Sequence, residues 1–166
     1  MNKIAEVTRD LARYISRLHH NRLEYVAALC EDLASVGNAV LTLKRMELSR
    51  VVTAPYLRTL SYHLEDVAMG AMELLLALGV TDFEDAFVEE YERATKKHPG
   101  MTLDSDNHTD ETRFYVLAEE VGEVCAALTY DNAAQTGHNA NLISEVTQVG
   151  ALAVAWLLLY QGDEER

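Results

Sequence analysis

Four glutamates carry the chemistry this chain offers: Glu119, Glu120 and Glu123 in one segment, and Glu145 in the next. At ~3.6 residues per helical turn, Glu119 and Glu123 are vertical neighbours, as are Glu120 and Glu123, so like charges crowd together. The apolar stripe of that segment is Val121, Val124, Cys125 and Leu128, and the glutamates lie mostly off it. Taken alone, the segment would serve equally well as a solvated acidic face. Glu145 changes the balance. It sits among Val146, Val149, Leu152 and Trp156, with Gln148 one turn along, in a stretch from Leu142 to Tyr160 that is apolar on nearly every side. Such a pattern marks a buried helix. A buried carboxylate must be neutralised, paired with a cation or bound to a metal. No Lys or Arg lies between Arg113 and Arg166, so the local surplus is all carboxylate. Two antiparallel helices would bring the glutamates face to face around a hard divalent cation with oxygen ligands, Mg²⁺ or Mn²⁺. Carboxylate-held Mg²⁺ keeps positions open for water and substrate phosphates, which points to phosphoryl chemistry. A di-iron carboxylate bundle would need Glu-x-x-His pairs on two helices, and the chain has no Glu-x-x-His.

The elements that must position these groups are helices. Apolar spacing is helical nearly throughout, and no segment alternates as a strand does. The spacing predicts a first helix from about Ile4 to Leu18, with Ile4, Val7, Leu11, Tyr14, Ile15 and Leu18 on one side. A second spans roughly Asn21 to Met46, and a third opens near Thr53-Ala54-Pro55 and closes before Gly79. Thr81-Asp82-Phe83-Glu84 reads as a capping box for a fourth, which ends at Lys96-Lys97 before His98-Pro99-Gly100. Residues Pro99 to His108 form the one clear loop, and Thr109-Asp110-Glu111 starts a fifth helix running to about Tyr130. After a turn from Asp131 to Gly137, Asn139 or Asn141 caps a last helix that ends near Gly162. The expected fold is an all-α bundle of five or six helices. A faint repeat lays Leu29-Cys30-Glu31-Asp32-Leu33 over Leu117-Ala118-Glu119-Glu120-Val121, and His63-Leu64-Glu65-Asp66-Val67 over Glu145-Val146-Thr147-Gln148-Val149. Any two amphipathic helices can align this well. If the repeat is real, residues 1–80 and 81–166 are two related helical hairpins packed as one body, a covalent pseudo-dimer.

Bulk composition agrees. The chain has 166 residues, 49% hydrophobic and 25% charged, which suits a single globular body. Two prolines and eight glycines are too few for the turns of an all-β protein. Fourteen basic against 27 acidic side chains leave a formal charge of −13, which repels nucleic acid and anionic membrane, and no local basic patch offsets it. Cys30 and Cys125 stand alone, without the spacing of a zinc site or disulfide framework, and suit a reducing cytoplasm. Residues Met1 to Leu11 mix Lys3, Glu6, Arg9 and Asp10 into their apolar positions, unlike a signal peptide. The most apolar stretch, Val149 to Tyr160, falls short of the ~20 residues of a membrane span. A cytoplasmic protein with no direct contact to nucleic acid or membrane is expected.

At the acidic residues the sequence resembles the MazG-like family of all-α nucleoside triphosphate pyrophosphohydrolases, which carries Glu-Glu-x-x-Glu on one helix and Glu-x-x-Asp on the next. Here the first motif reads Glu119-Glu120-Val121-Gly122-Glu123 and the second Glu145-Val146-Thr147-Gln148. Lys97-His98-Pro99-Gly100-Met101-Thr102-Leu103 and Thr129-Tyr130-Asp131-Asn132 resemble a small subgroup of that family. The resemblance covers about residues 96–161 and is weak and degenerate over 21–80. It implies Mg²⁺-dependent hydrolysis of a nucleoside or deoxynucleoside triphosphate, between the α and β phosphorus, to monophosphate and pyrophosphate, in nucleotide-pool control. Carried over by position, Glu120, Glu123 and Glu145 would bind the metal, and Glu119 would hold or deprotonate its water. Gln148 stands where the family has Asp; its oxygen can still ligate a hard cation, at the loss of one negative charge. In the N-terminal half Glu31, Asp32 and Asp66 keep acids while Ser35 and His63 replace them, so that half is expected to be non-catalytic. Relatives form dimers or tetramers, and a homo-oligomer is expected here as well.

Other side chains are weaker candidates. Lys96, Lys97 and His98 would reach triphosphate oxygens as point charges, or simply cap a helix C-terminus. Asn139 and Asn141 are explained by capping, His19-His20 by a helix junction, and Trp156 by the core, with Tyr130 and Tyr160 as possible base-stacking rings. The reading from another class is a non-catalytic helical oligomer that keeps the fold as an interaction or regulatory protein.

Overall fold

A computed structural model describes residues 2–15, 21–49, 54–129 and 141–160. Among these residues the chain forms six helices and no strand: α1 (Lys3–Ala12), α2 (Arg22–Leu48), α3 (Ala54–Ala77), α4 (Phe83–Lys97), α5 (Asp110–Thr129) and α6 (Leu142–Leu157). Polar side chains start them as capping requires. Asn2, Asn21, Asp82 and Asn141 each accept a hydrogen bond from a first-turn backbone N–H. The cap of α4 is thus Asp82, which accepts from the Asp85 N–H, rather than Thr81. Thr109 caps α5, its hydroxyl accepting from the Thr112 N–H at 3.2 Å.

α1 stops six residues before the predicted Leu18. Its last turn tightens, with the Tyr14 N–H bonding back only three residues to Leu11, and this swings the Tyr14 ring into solvent. Leu18, His19, His20, Tyr130, Asp131, Asn132 and Asn139, like the 131–137 turn and Gly162, lie outside the described residues. α6 ends at Leu157, short of the predicted Gly162, with Leu158 as its C-cap.

α2 and α3 form one hairpin and α5 and α6 another, and they pack like on like, α2 against α5 and α3 against α6. α1 and α4 close the remaining sides of α3 and α6. α6 is the most enclosed helix: Val146, Val149, Ala153, Val154 and Trp156 are all completely buried. Trp156 is therefore core, and its indole N–H donates to the Tyr160 hydroxyl, which in turn donates to Asp110 at the start of α5. That pairing makes α5 and α6 antiparallel, as the acidic site requires. Among the described residues α2, not 149–160, is the helix long and apolar enough to cross a membrane. In the fold it lies along α3 and α5 and buries Val26, Leu29, Val36 and Val40.

The loop between α4 and α5 is pinned rather than draped. Buried Arg113 donates to the carbonyls of Leu103 (2.8 Å) and Ser105 (2.7 Å) and pairs with Asp110 at 3.0 Å. Leu103 is consequently sunk into the core, and the loop becomes a wall of the cavity described next.

Candidate metal and phosphate site

The antiparallel pairing of α5 and α6 brings three of the four glutamates together. Carboxylate oxygens of Glu120, Glu123 and Glu145 all lie within 4.8 Å of one another. Glu123 is exposed, Glu120 half-buried and Glu145 only 9% exposed. The cluster is electrostatically strained. Burial, then the charges of Glu123, Glu145 and Glu119, push the Glu120 carboxyl up to about 7. Glu145 is also raised, first by burial and then by its contact with Glu123. Glu120 Oε2 is buried without a hydrogen-bond partner. An orphaned, buried carboxylate oxygen facing two more carboxylates has the donor set and the unmet demand that suit a hard divalent cation. Glu119, exposed on the same helix, stands outside the close trio and lines the adjacent cavity beside Glu120.

Gln148 is engaged differently from a ligand. Its amide nitrogen donates to Glu145 Oε2 at 2.7 Å, and its oxygen accepts from Arg93 at 3.0 Å. Arg93 is the residue that sequence reasoning missed. Counting along the chain, no cation lay near Glu145; across the fold, α4 delivers one. The Arg93 guanidinium grips Glu90 through two 2.7 Å hydrogen bonds, and the charges of Glu120 and Glu145 further favour its charged form. Glu90, Arg93 and Lys97 fall at helical spacing on one stripe of α4, a signal that was present but indistinguishable from a solvated face.

Beside the carboxylates lies a cavity of about 340 Å³ between α4, α5, α6 and the 98–108 loop. Its floor is apolar, from Leu103, Val116, Ala151, Leu152 and Ala155, while Arg93, Lys97 and His98 bring cationic or protonatable groups to its rim. Lys97 therefore lines the cavity. Lys96 is exposed and outside the lining. Trp156 and Tyr160 do not line the cavity either. Compared with family models, curated proteins and solved structures, the chain matches none.

The raised carboxyls give a pH signature. An acid whose folded pKa stands above its unfolded value takes up protons on folding, so stability falls as pH rises between the two values. Without metal, Tm is expected to drop as pH climbs from the ordinary carboxyl range through the Glu120 value of about 7, and to level off above it. Glu120→Gln should flatten that slope in thermal melts with chelator present. A slope of the same size in the variant would mean that another group sets it.

Proposed function

We propose that this protein hydrolyses a nucleoside or deoxynucleoside triphosphate to monophosphate and pyrophosphate, with Mg²⁺ as cofactor and Mn²⁺ as substitute. The observation that carries the reading is the convergence of Glu120, Glu123 and Glu145, with one buried oxygen unsatisfied, where Glu120 meets a largely apolar cavity that Arg93 and Lys97 also line. The resemblance of Glu119-Glu120-Val121-Gly122-Glu123 and Glu145-Val146-Thr147-Gln148 to MazG-like pyrophosphohydrolases supports the same reaction. Glu120, Glu123 and Glu145 would hold the metal, which when bound supplies Lewis acidity for phosphoryl transfer. Glu119, which lines the cavity, would take a proton from an attacking water. Arg93 and Lys97 set positive charge where phosphate oxygens would lie, and the apolar floor takes the nucleoside. Gln148 positions Glu145 through its amide N–H and holds Arg93 through its oxygen. In this reading the glutamine, where the family has an acid, keeps Arg93 beside the site while giving up one negative charge.

The reading is tested by measuring products from a panel of NTPs and dNTPs with Mg²⁺ or Mn²⁺. Monophosphate with pyrophosphate is the expected pair; orthophosphate would move the cleavage to another bond. No turnover, with no metal-induced rise in Tm, would favour the non-catalytic helical oligomer, the reading that Gln148 supports. The two lysines separate cleanly. Lys97→Ala is expected to raise KM several-fold with little change in kcat, as loss of ground-state phosphate binding does. Lys96→Ala should leave both constants near wild type, and equal effects at the two positions would remove the cavity's phosphate role.

A further inference from the structure

The seam between α2 and α5 carries a second constellation, independent of the phosphate reading. Contacts along it set an antiparallel register. Lys44 on α2 pairs with Glu111 on α5. Further along, a Cβ added to Gly37 would lie 2.8 Å from the Phe114 ring, so the absence of a side chain lets the two helices approach closely. From Lys44 back to Cys30 is fourteen residues, and from Glu111 forward to Cys125 is fourteen as well. Equal advance along two antiparallel helices returns the same faces to each other, four turns from the ion pair at ~3.6 residues per turn. This register sets Cys30 and Cys125 at the same level of the seam, where burial and then the neighbouring Cys125 push the Cys30 thiol up. Cys30 is exposed and Cys125 half-buried, so a small reagent reaches the first and the second waits behind it.

We propose that Cys30 and Cys125 form a reversible disulfide that ties α2 to α5, made by exchange with a low-molecular-weight disulfide such as oxidised glutathione. The Cys30 thiolate attacks one sulfur of the small disulfide; that S–S bond breaks, a mixed disulfide forms, and one small thiolate leaves. The Cys125 thiolate then attacks the Cys30 sulfur, closing the protein disulfide and expelling the second small thiolate. Two protein thiols lose two electrons, the small disulfide gains them, and the two thiol protons end on the departing thiolates. The bond would join chain positions far apart in sequence, which restricts the unfolded chain and raises the Tm. It would also anchor α5 two residues beyond Glu123, on the helix that carries three of the four site glutamates.

The test is incubation of the full-length, reduced protein with oxidised glutathione, followed by denaturation, thiol labelling and intact-mass and peptide analysis. The expected result is a monomer that has lost two hydrogens and takes no label. Non-reduced digests should join the Cys30 and Cys125 peptides, and an upward Tm shift should be reversed by dithiothreitol and absent in Cys30→Ser and in Cys125→Ser. Exposed Cys30 makes its Ser variant a fold-neutral control. Two labelled thiols, a persistent glutathione adduct on one cysteine, or a crosslink between two chains would each overturn the proposal.

Discussion

Glu123→Gln is expected to lower pyrophosphate release by at least about a hundredfold, since even residues that merely orient metal ligands cost 10–100-fold when changed. It should also remove most of the thermal stabilisation conferred by Mg²⁺ or Mn²⁺, which at a hundred times Kd amounts to ~2.7 kcal/mol. The same substitution should not weaken the metal-free protein. Glu123 is exposed, and its charge is one of those that raise Glu120 and Glu145, so neutralising it relieves repulsion at no packing cost. Opposite signs with and without metal are what separate a ligand from an acid of a solvated face, which would show neither effect. Isothermal titration or thermal melts with and without metal, beside the product assay, read both arms. Wild-type turnover in Glu123→Gln would discard the carboxylate trio as the catalytic centre.

Much of this arrangement was legible in the chain before folding. Periodicity marks the helices because each must hide one face, and the enclosed helix betrays itself by lacking a polar side, which singled out Glu145. Caps at Asn141 and Thr109 and the loop after Lys97 follow from local chemistry and stand where expected. What local pattern cannot carry is which face of one helix meets which face of another. Arg93 is hidden in the sequence: Glu89 to Glu92 before it are acids and a tyrosine, and only the packing of α4 on α6 brings it to Gln148. The thiol pair was hidden for the same reason. Cys30 and Cys125 are isolated along the chain, and only the register of α2 on α5 brings them together. The end of α1 failed differently. Tyr14 fits an apolar stripe by type, yet a tightened last turn places it 73% exposed, a local backbone event that spacing does not record.

Gly150→Ala should destabilise the protein by about 2 kcal/mol, a fall in Tm of roughly 4–8 °C for a chain of this size. A Cβ at residue 150 would stand 2.0, 2.6 and 2.8 Å from three atoms of the Phe87 ring, far inside contact distance. Phe87 is completely buried, so the ring cannot swing out to solvent, and α4 must move off α6 instead. Replacing a mid-helix glycine by alanine ordinarily gains ~1 kcal/mol in helix propensity; here overpacking of ~1–3 kcal/mol or more opposes it and wins because the obstruction is a rigid ring between two helices. The same displacement would part Arg93 from Gln148, two residues before Gly150, so activity should fall with stability. Phe87→Leu tests the cause. Alone it leaves a cavity and destabilises; combined with Gly150→Ala, the smaller side chain makes room for the new methyl, and the double variant should be more stable than the two single losses add up to. Gly122→Ala supplies the contrast, since a Cβ there meets nothing within 4 Å and should be neutral or stabilising. Strict additivity at residues 87 and 150 would show that the close approach of α4 to α6 is not what Gly150 protects.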